Sequence, residues 1–221
     1  MEIKIKQNVL QANENKAQEL KKILASKGIF MLNMISSPGS GKTTLLEKTI
    51  PLLKSRYQIA VIEGDVESHR DAERLDNFGV QIASINTGGS CHIESVGIEK
   101  ALNSFDLDHL DLIIVENVGN MVCPAEFDLG EDCKVAMLST PEGADKTAKY
   151  PLLFREAKLT LLNKIDLLPY LNFNKEIFYQ DIRNLNSDLP VLEISCTTDQ
   201  GLSAWIDWLE NKIKNKKTKK G

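Results

Sequence analysis

Two short segments carry most of the chemistry readable in this chain. Ser36-Ser37-Pro38-Gly39-Ser40-Gly41-Lys42-Thr43 has the make-up of a phosphate-cradling loop. Its glycines let successive backbone N–H groups turn toward anionic oxygens, Lys42 can reach the outer phosphates, and the Thr43 hydroxyl is placed to ligate Mg²⁺. The loop departs from G-x-x-x-x-G-K-[ST] only at its first position, where Ser36 stands. The second segment, Asn163-Lys164-Ile165-Asp166, has the form of a base-recognition element. Asp166 can accept hydrogen bonds from the N1 and N2 donors of guanine, which adenine lacks, so the wrong base leaves a carboxylate unpaired. Together they predict a guanine nucleotide, GTP or GDP, gripped at its phosphates by Pro38, Gly39, Ser40, Gly41, Lys42, Thr43 and Thr44. Asn163, Lys164 and Asp166 would meet the base.

The surrounding elements fit that chemistry. An apolar run at 30–35 precedes the phosphate loop and helical spacing follows from Thr44, the strand, loop, helix setting such a loop requires. Asn-Lys-x-Asp alone could be a mere turn after a strand, but it follows another buried-strand run at 159–162. Further runs lie at 59–62, 82–85, 112–115, 135–138 and 191–194, with mostly helical segments between. Their hydrophobicity is continuous rather than alternating, which implies burial on both faces. The expectation is an α/β P-loop NTPase fold: a mostly parallel sheet of about seven strands, helices on both faces, and ligands at the carboxyl strand ends. An amphipathic helix over 8–27, stopped by Gly28, would lead into it, packed on the domain or flanking it to mediate contacts. That divides the chain into a leading helix within 1–28, a nucleotide-binding domain over 29–212 and a loose basic end over 213–221.

Strand 112–115 delivers Glu116 to the sheet edge, and Gly119 follows three residues later. In such an acidic-x-x-Gly pattern the carboxylate serves Mg²⁺ or its waters, and the glycine N–H meets the γ-phosphate. Asp65, after the strand at 59–62, is the other candidate for the metal or for orienting water, with Asp71 behind it. Phosphoryl transfer depends mainly on positioning and charge neutralisation, so Lys42, one Mg²⁺ and the acids Asp65 and Glu116 are adequate machinery. Asn120 stands where small signalling GTPases place a water-orienting glutamine, which predicts slow intrinsic turnover. Ser195-Cys196-Thr197 follows the last strand and matches the loop whose backbone N–H meets guanine O6; a small apolar packing role for Cys196 is compatible with that.

A separate constellation is built from sulfur and imidazole. Cys91 and His92 are adjacent, after Thr87-Gly88-Gly89-Ser90, and Cys123 follows the Glu116 segment. Two thiolates and an imidazole are borderline-soft ligands suited to Ni²⁺ or Zn²⁺. Singly, each cysteine is more often buried packing; their place in loops leaving strand ends shifts the balance toward ligation. Three ligands leave a position for water, for Glu126 or Asp128, or for a second subunit. Cys133 leads into a strand and reads as packing, while His69 and His109 sit in polar surroundings and should face solvent.

Composition narrows the classes. The 221 residues are 42% hydrophobic, enough for the core of one large α/β domain, and the net charge of −4 gives no reason to expect nucleic acid or a lipid surface as partner. No run approaches the ~18 apolar residues that cross a bilayer, and Met1-Glu2-Ile3-Lys4-Ile5-Lys6 does not open a signal peptide. A cytoplasmic location is expected, where four cysteines are not disulfides by default.

The segment 36–44, Gly89-Ser90-Cys91-His92, Glu116-Asn117-Val118-Gly119-Asn120-Met121-Val122-Cys123-Pro124-Ala125 and Asn163-Lys164-Ile165-Asp166 together resemble the HypB family of hydrogenase nickel-incorporation GTPases. The resemblance covers nearly the whole chain. It implies a SIMIBI-class P-loop GTPase that forms a GTP-dependent homodimer and delivers nickel during [NiFe]-hydrogenase maturation. A HypA-type accessory protein and the hydrogenase large-subunit pathway would be its partners, and Cys91, His92 and Cys123 its metal ligands near the dimer interface. Some family members carry an N-terminal cysteine motif or a histidine-rich stretch; here the first cysteine is Cys91 and the first histidine His69. Val96 stands where some relatives place a histidine. Urease-type nickel GTPases of the UreG kind share the nucleotide motifs but carry Cys-Pro-His rather than Cys-His and lack Val-Cys-Pro after the acidic motif. A regulatory GTPase switch with structural cysteines, or a P-loop kinase, are the alternatives from other classes, the kinase opposed by the guanine-reading motif.

Overall fold

The structure, a computed structural model, describes residues 2–65 and 74–218, with side chains described from Leu10 to Gly64 and from Arg74 onward. Seven strands form one sheet: β1 (Phe30–Ser36), β2 (Ile59–Asp65), β3 (Gln81–Asn86), β4 (Leu112–Glu116), β5 (Cys133–Ser139), β6 (Ala157–Asn163) and β7 (Val191–Glu193), in spatial order β3-β2-β4-β1-β5-β6-β7. Every pairing is parallel. All residues of β1 and β4 are buried, which is why these segments read as unbroken apolar runs. The edge strands β3 and β7 are only half-buried, and β7 stops at Glu193, one residue short of the apolar run.

Among the described residues, the helices are α1 (Glu2–Lys27), α2 (Lys42–Leu53), α3 (Ser95–Leu102), α4 (Cys123–Glu126), α5 (Lys146–Lys149), α6 (Pro151–Glu156), α7 (Lys175–Leu185) and α8 (Leu202–Thr218). Successive β1 residues point to opposite faces and into different cores. Phe30, Leu32 and Met34 join Leu45, Leu46 and Ile50 of α2 and Trp205 and Leu209 of α8. Met31 lies with Leu20 and Leu24 of α1 and Ile98 and Leu102 of α3. Ile35 meets Phe154 of α6 and Phe178 of α7. Each such buried side chain contributes about 1.5–3 kcal/mol by leaving water, so both layers are held by their apolar stripes rather than by helix propensity. None of the helices among the described residues is long and apolar enough to cross a membrane.

Two expectations change at the ends. The leading helix starts at Glu2, ahead of the expected 8–27; of its two expected settings it takes the packed one, with Ala17, Leu20 and Leu24 almost fully buried. The segment from 213, expected to be a loose basic end, continues α8 to Thr218. Ile213 is fully buried, and Lys216 and Lys217 pair with Asp132 and Asp111, so the lysines are helix-end partners of two carboxylates as well as solvated charge.

The fold places the carboxyl ends of β1, β2 and β4 side by side, with Met34 opposite Glu116 and Glu63 opposite Glu116 in register. The long α8 is fixed against α2 by a buried hydrogen bond, Trp205 Nε1 to Thr49 Oγ1 at 2.9 Å. Thr49→Val keeps the shape but strands the indole N–H. It should lower unfolding free energy by about 1–3 kcal/mol in urea titration, and a change within about 0.3 kcal/mol would mean that the bond contributes nothing.

Candidate nucleotide and metal site

The phosphate loop leaves β1 at Ser36 and turns into α2 through Gly41, whose φ of 101° favours glycine. Space demands glycine as well, since a Cβ there would lie 2.6 Å from Asn163 Nδ2. That amide donates to the Ser40 carbonyl at 2.8 Å, and Lys164 Nζ donates to the Gly39 carbonyl at 2.7 Å. The candidate base segment is therefore bonded directly to the loop that would hold the phosphates. Between them opens a cavity of about 470 Å³ lined by Pro38, Lys42, Thr43, Thr44, Gly119 and Lys164, and also by Glu63, Arg74 and Glu116. A larger cavity of about 720 Å³ lies elsewhere, beneath α1 beside Glu131 and Lys134; it has none of the phosphate-loop groups.

Ser36, the departure from the usual motif, has a fully buried hydroxyl that accepts from Lys42 Nζ at 2.9 Å and donates to the Ser37 carbonyl at 2.7 Å. It thus holds the ammonium at the floor of the cavity. Thr43 Oγ1 donates to Glu116 Oε1 at 2.8 Å, and both side chains are buried. A hydroxyl and a carboxylate in contact at a phosphate loop are hard oxygen donors that fit Mg²⁺. Glu63, whose strand runs past the expected stop at residue 62, adds a second buried carboxylate. Sequence reasoning missed it, although an acid at the carboxyl end of a buried apolar run was a signal. The backbone of Asp65 ends β2, but its carboxylate, like Asp71 and His69, lies outside the described residues. Gly119 packs against the phosphate loop so closely that a Cβ would come within 2.8 Å of Pro38 Cγ.

At the base end, Ser195 Oγ donates to Asp166 Oδ1 at 2.6 Å and itself accepts from the Thr197 and Thr198 N–H groups at 3.3 and 3.1 Å. Its hydroxyl orients the candidate guanine-reading carboxylate. Cys196 is buried with Sγ 3.6 Å from Asn163 Oδ1, and burial pushes its thiol up to about 11, so it packs as a neutral group.

The sulfur and imidazole groups converge. Cys91 and His92 follow β3, Cys123 opens α4, and their ligand atoms lie within 4.8 Å of one another. The two sulfurs are 2.7 Å apart and His92 Nδ1 is 3.6 Å from Cys91 Sγ. His92 lies against Phe127 with ring centroids 3.8 Å apart, while its buried Nε2 makes no hydrogen bond and has the Glu94 carboxylate at 3.9 Å. Burial lowers the imidazole pKa, favouring the neutral, ligating form, whereas the hydrogen bond to Cys123 raises that of Cys91. Two thiols and an imidazole whose buried Nε2 has no hydrogen-bond partner fit a borderline-soft cation. Glu126 and Asp128, considered from sequence, are outside this cluster; the Asp128 carboxylate instead accepts from the Gly130 N–H at 2.8 Å. Cys133 is buried with its thiol pushed up to about 12 by burial, and His109 is exposed, as expected.

Side-chain amides tie the two sites together, Asn117 and Asn33 buried and Asn120 half-buried. Asn120 Nδ2 donates to the Cys91 carbonyl at 3.3 Å and its Oδ1 accepts from Val122 N–H at 2.8 Å, so it bridges the thiol loops. Asn117, between Glu116 and Gly119, accepts from Val118 N–H at 2.9 Å and Ile93 N–H at 3.4 Å and donates to Asn33 Oδ1 at 3.1 Å. Asn33 donates in turn to Glu131 at 3.4 Å. Burial pushes the Glu131 carboxyl up to about 7.

The family profile described as CobW/HypB/UreG, nucleotide-binding domain, matches residues 30–193. The hydrogenase maturation factor HypB of Azotobacter vinelandii is 45% identical over 208 residues, spanning 94% of this chain and 69% of that protein. The chain belongs to the HypB family. The crystal structure of HypB from Helicobacter pylori in complex with nickel matches with a TM-score of 0.88 at 36% identity, covering 92% of this chain and 96% of that one. The crystal structure of the HypB of Archaeoglobus fulgidus matches at 0.87 and 36% identity, over 92% and 100%. The expected HypB-type fold is therefore observed, a seven-stranded parallel sheet flanked by helices.

Two outcomes follow for this HypB-family chain. Asp166→Asn should lower GTP affinity on the order of 100-fold and raise that for xanthosine triphosphate, read by competition with a fluorescent nucleotide; unchanged selectivity would assign base reading to another residue. For Glu131, a folded pKa near 7 lies above the ordinary carboxyl value, so its share of stability is intact below about pH 4.5 and lost as pH rises through 7. Glu131→Gln should gain on the order of 3 kcal/mol over wild type between pH 4.5 and 7.5; parallel stability curves would contradict the assigned burial cost.

Proposed function

We propose that this chain is a GTP-hydrolysing nickel metallochaperone of hydrogenase maturation, in which nucleotide state sets the grip on the metal. The carrying observation is that Glu116, Gly119 and Cys123 lie on one stretch, seven positions from first to last, while Gly119 packs on Pro38 and Cys123 Sγ lies 2.7 Å from Cys91 Sγ. In this reading Lys42 neutralises the outer phosphates, Gly119 N–H meets the γ-phosphate, and Asp166 reads the base. Thr43 and Glu116 would hold Mg²⁺, which supplies charge neutralisation at the phosphates. Asp65, at the end of β2, is the candidate for orienting water. Asn120, occupied in bridging the thiol loops, leaves intrinsic turnover slow.

Cargo Ni²⁺, with Zn²⁺ as competitor for the same donors, is held by Cys91, His92 and Cys123. The exposed Val96 and Val122 beside these ligands favour a second copy of the chain covering the centre, a GTP-dependent homodimer. GTP orders the 116–123 stretch; loss of the γ-phosphate changes the setting of Cys123 and releases the metal to a HypA-type partner and the hydrogenase large-subunit pathway in the cytoplasm. Adjacent Cys91-His92 and Cys123-Pro124 favour this over a urease-type GTPase. Converging ligand atoms favour it over a switch with structural cysteines.

Linkage makes the coupling reciprocal and measurable. Nickel titrated against a competing chelator should bind with affinities differing about 5-fold or more between the GDP form and the form with a nonhydrolysable GTP analogue. Cys123→Ala should abolish tight binding in both. Equal affinities in the two nucleotide states would end the coupling proposal.

A further inference from the structure

The apolar stripe by which α1 docks runs through Leu24, Leu20 and Ala17, all nearly fully buried, and its next position is a polar residue, Asn13, 6% exposed. An aliphatic side chain would serve docking alone, because a buried amide costs free energy unless both its ends are paired. Here they are. Asn13 Oδ1 accepts from the Ser95 N–H at 2.8 Å, and Nδ2 donates to the Asp128 carbonyl at 2.7 Å. Ser95 Oγ adds a third bond, to the Asn13 carbonyl at 2.9 Å. The N-terminus of α3 has no side-chain cap of its own from Glu94, so the amide from α1 satisfies an N–H that the helix leaves open.

The two partners of Asn13 belong to the two metal-ligand segments. Ser95 lies three residues beyond His92, and Asp128 five beyond Cys123. One carboxamide thus spans from the Cys91-His92 loop to the segment that follows Cys123, as Asn120 joins the same two loops through Cys91 and Val122. We propose that Asn13 is a positioning residue for the nickel centre, and that the leading helix therefore belongs to the metal site through this side chain. The inference rests on Cys91, His92 and Cys123 holding the cargo. Partners that orient ligands from outside the coordination sphere typically govern metal affinity 10–100-fold.

The full chain, bound to GDP, is titrated with Ni²⁺ against a chromophoric chelator, and the thiolate-to-nickel absorption bands are recorded. Asn13→Ala should weaken nickel binding about 10–100-fold and shift those bands, with GDP affinity within about twofold of wild type. Asn13→Asp retains an acceptor for Ser95 but sets a carboxylate against the Asp128 carbonyl, and should behave like the alanine variant; it serves if that one does not fold. Lys16→Ala, which removes the Lys16–Glu99 ion pair of α1 a turn away, should match wild type in nickel affinity. Wild-type nickel binding in the Asn13 variants overturns the inference. So does parallel loss of nickel and GDP binding, or an equal loss in Lys16→Ala, since either marks general docking of the helix. Wild-type nickel uptake that Cys123→Ala leaves intact would remove the centre itself, whereas uptake lost in Cys123→Ala but normal in both Asn13 variants removes the positioning role alone.

Discussion

The hydrogen bond from Thr43 to Glu116, 2.8 Å long and buried, constrains everything downstream of it. It fastens the end of β4 to the start of α2, and the β1–β4 register, Met34 opposite Glu116, leaves no slack in where that carboxylate emerges. A slip of one residue would turn Glu116 to the other face of the sheet and bring an apolar neighbour into the phosphate cavity. The chain leaving this fixed origin has seven residues in which to pass the phosphate loop and arrive at Cys123. Fully extended, that is about 24 Å, so Cys123 cannot be far from the nucleotide cavity whatever path the loop takes.

Short tethering alone would not make the proposed metal centre responsive, because a loop with free hinges absorbs movement. Side-chain amides remove that freedom. Asn117 ties the residue before Gly119 to the residue after His92, Asn120 joins the two thiol loops, and Asn33 of the central strand β1, with Glu131, anchors the set. Such a buried polar network costs desolvation, visible in the raised Glu131 carboxyl, and in exchange it admits few alternative arrangements. A displacement of Gly119 then has to be shared with the segments that carry Cys91, His92 and Cys123.

The legible and illegible parts of this molecule separate along the same physical line. Strands buried on both faces announce themselves because every position must be apolar, and the runs 30–35 and 112–115 each fall one residue short of β1 and β4. The phosphate and base segments were equally plain, since their chemistry depends on backbone and side chains close in sequence. The ends of strands were harder: Glu63 looked like the first residue beyond a strand and is in fact part of one, its carboxylate tolerated because it faces the polar cavity. The basic end looked loose because its lysines outnumber its apolar residues, yet Ile213 and two distant aspartates fix it. Asn13, Asn117 and Phe127 left no trace at all. An amide that bridges segments far apart in sequence, or a ring that stacks under an imidazole, is recognisable only once the topology has brought them together.

Amide hydrogen exchange over 117–123 tests the central claim most directly, by comparing the GDP form, the form with a nonhydrolysable GTP analogue, and each with Ni²⁺ added. The account predicts that both the terminal phosphate and the metal alter protection of these same amides, and that the change produced by one depends on the presence of the other. Protection that responds to nucleotide alone, or to nickel alone, would show two independent sites that merely share a stretch of chain.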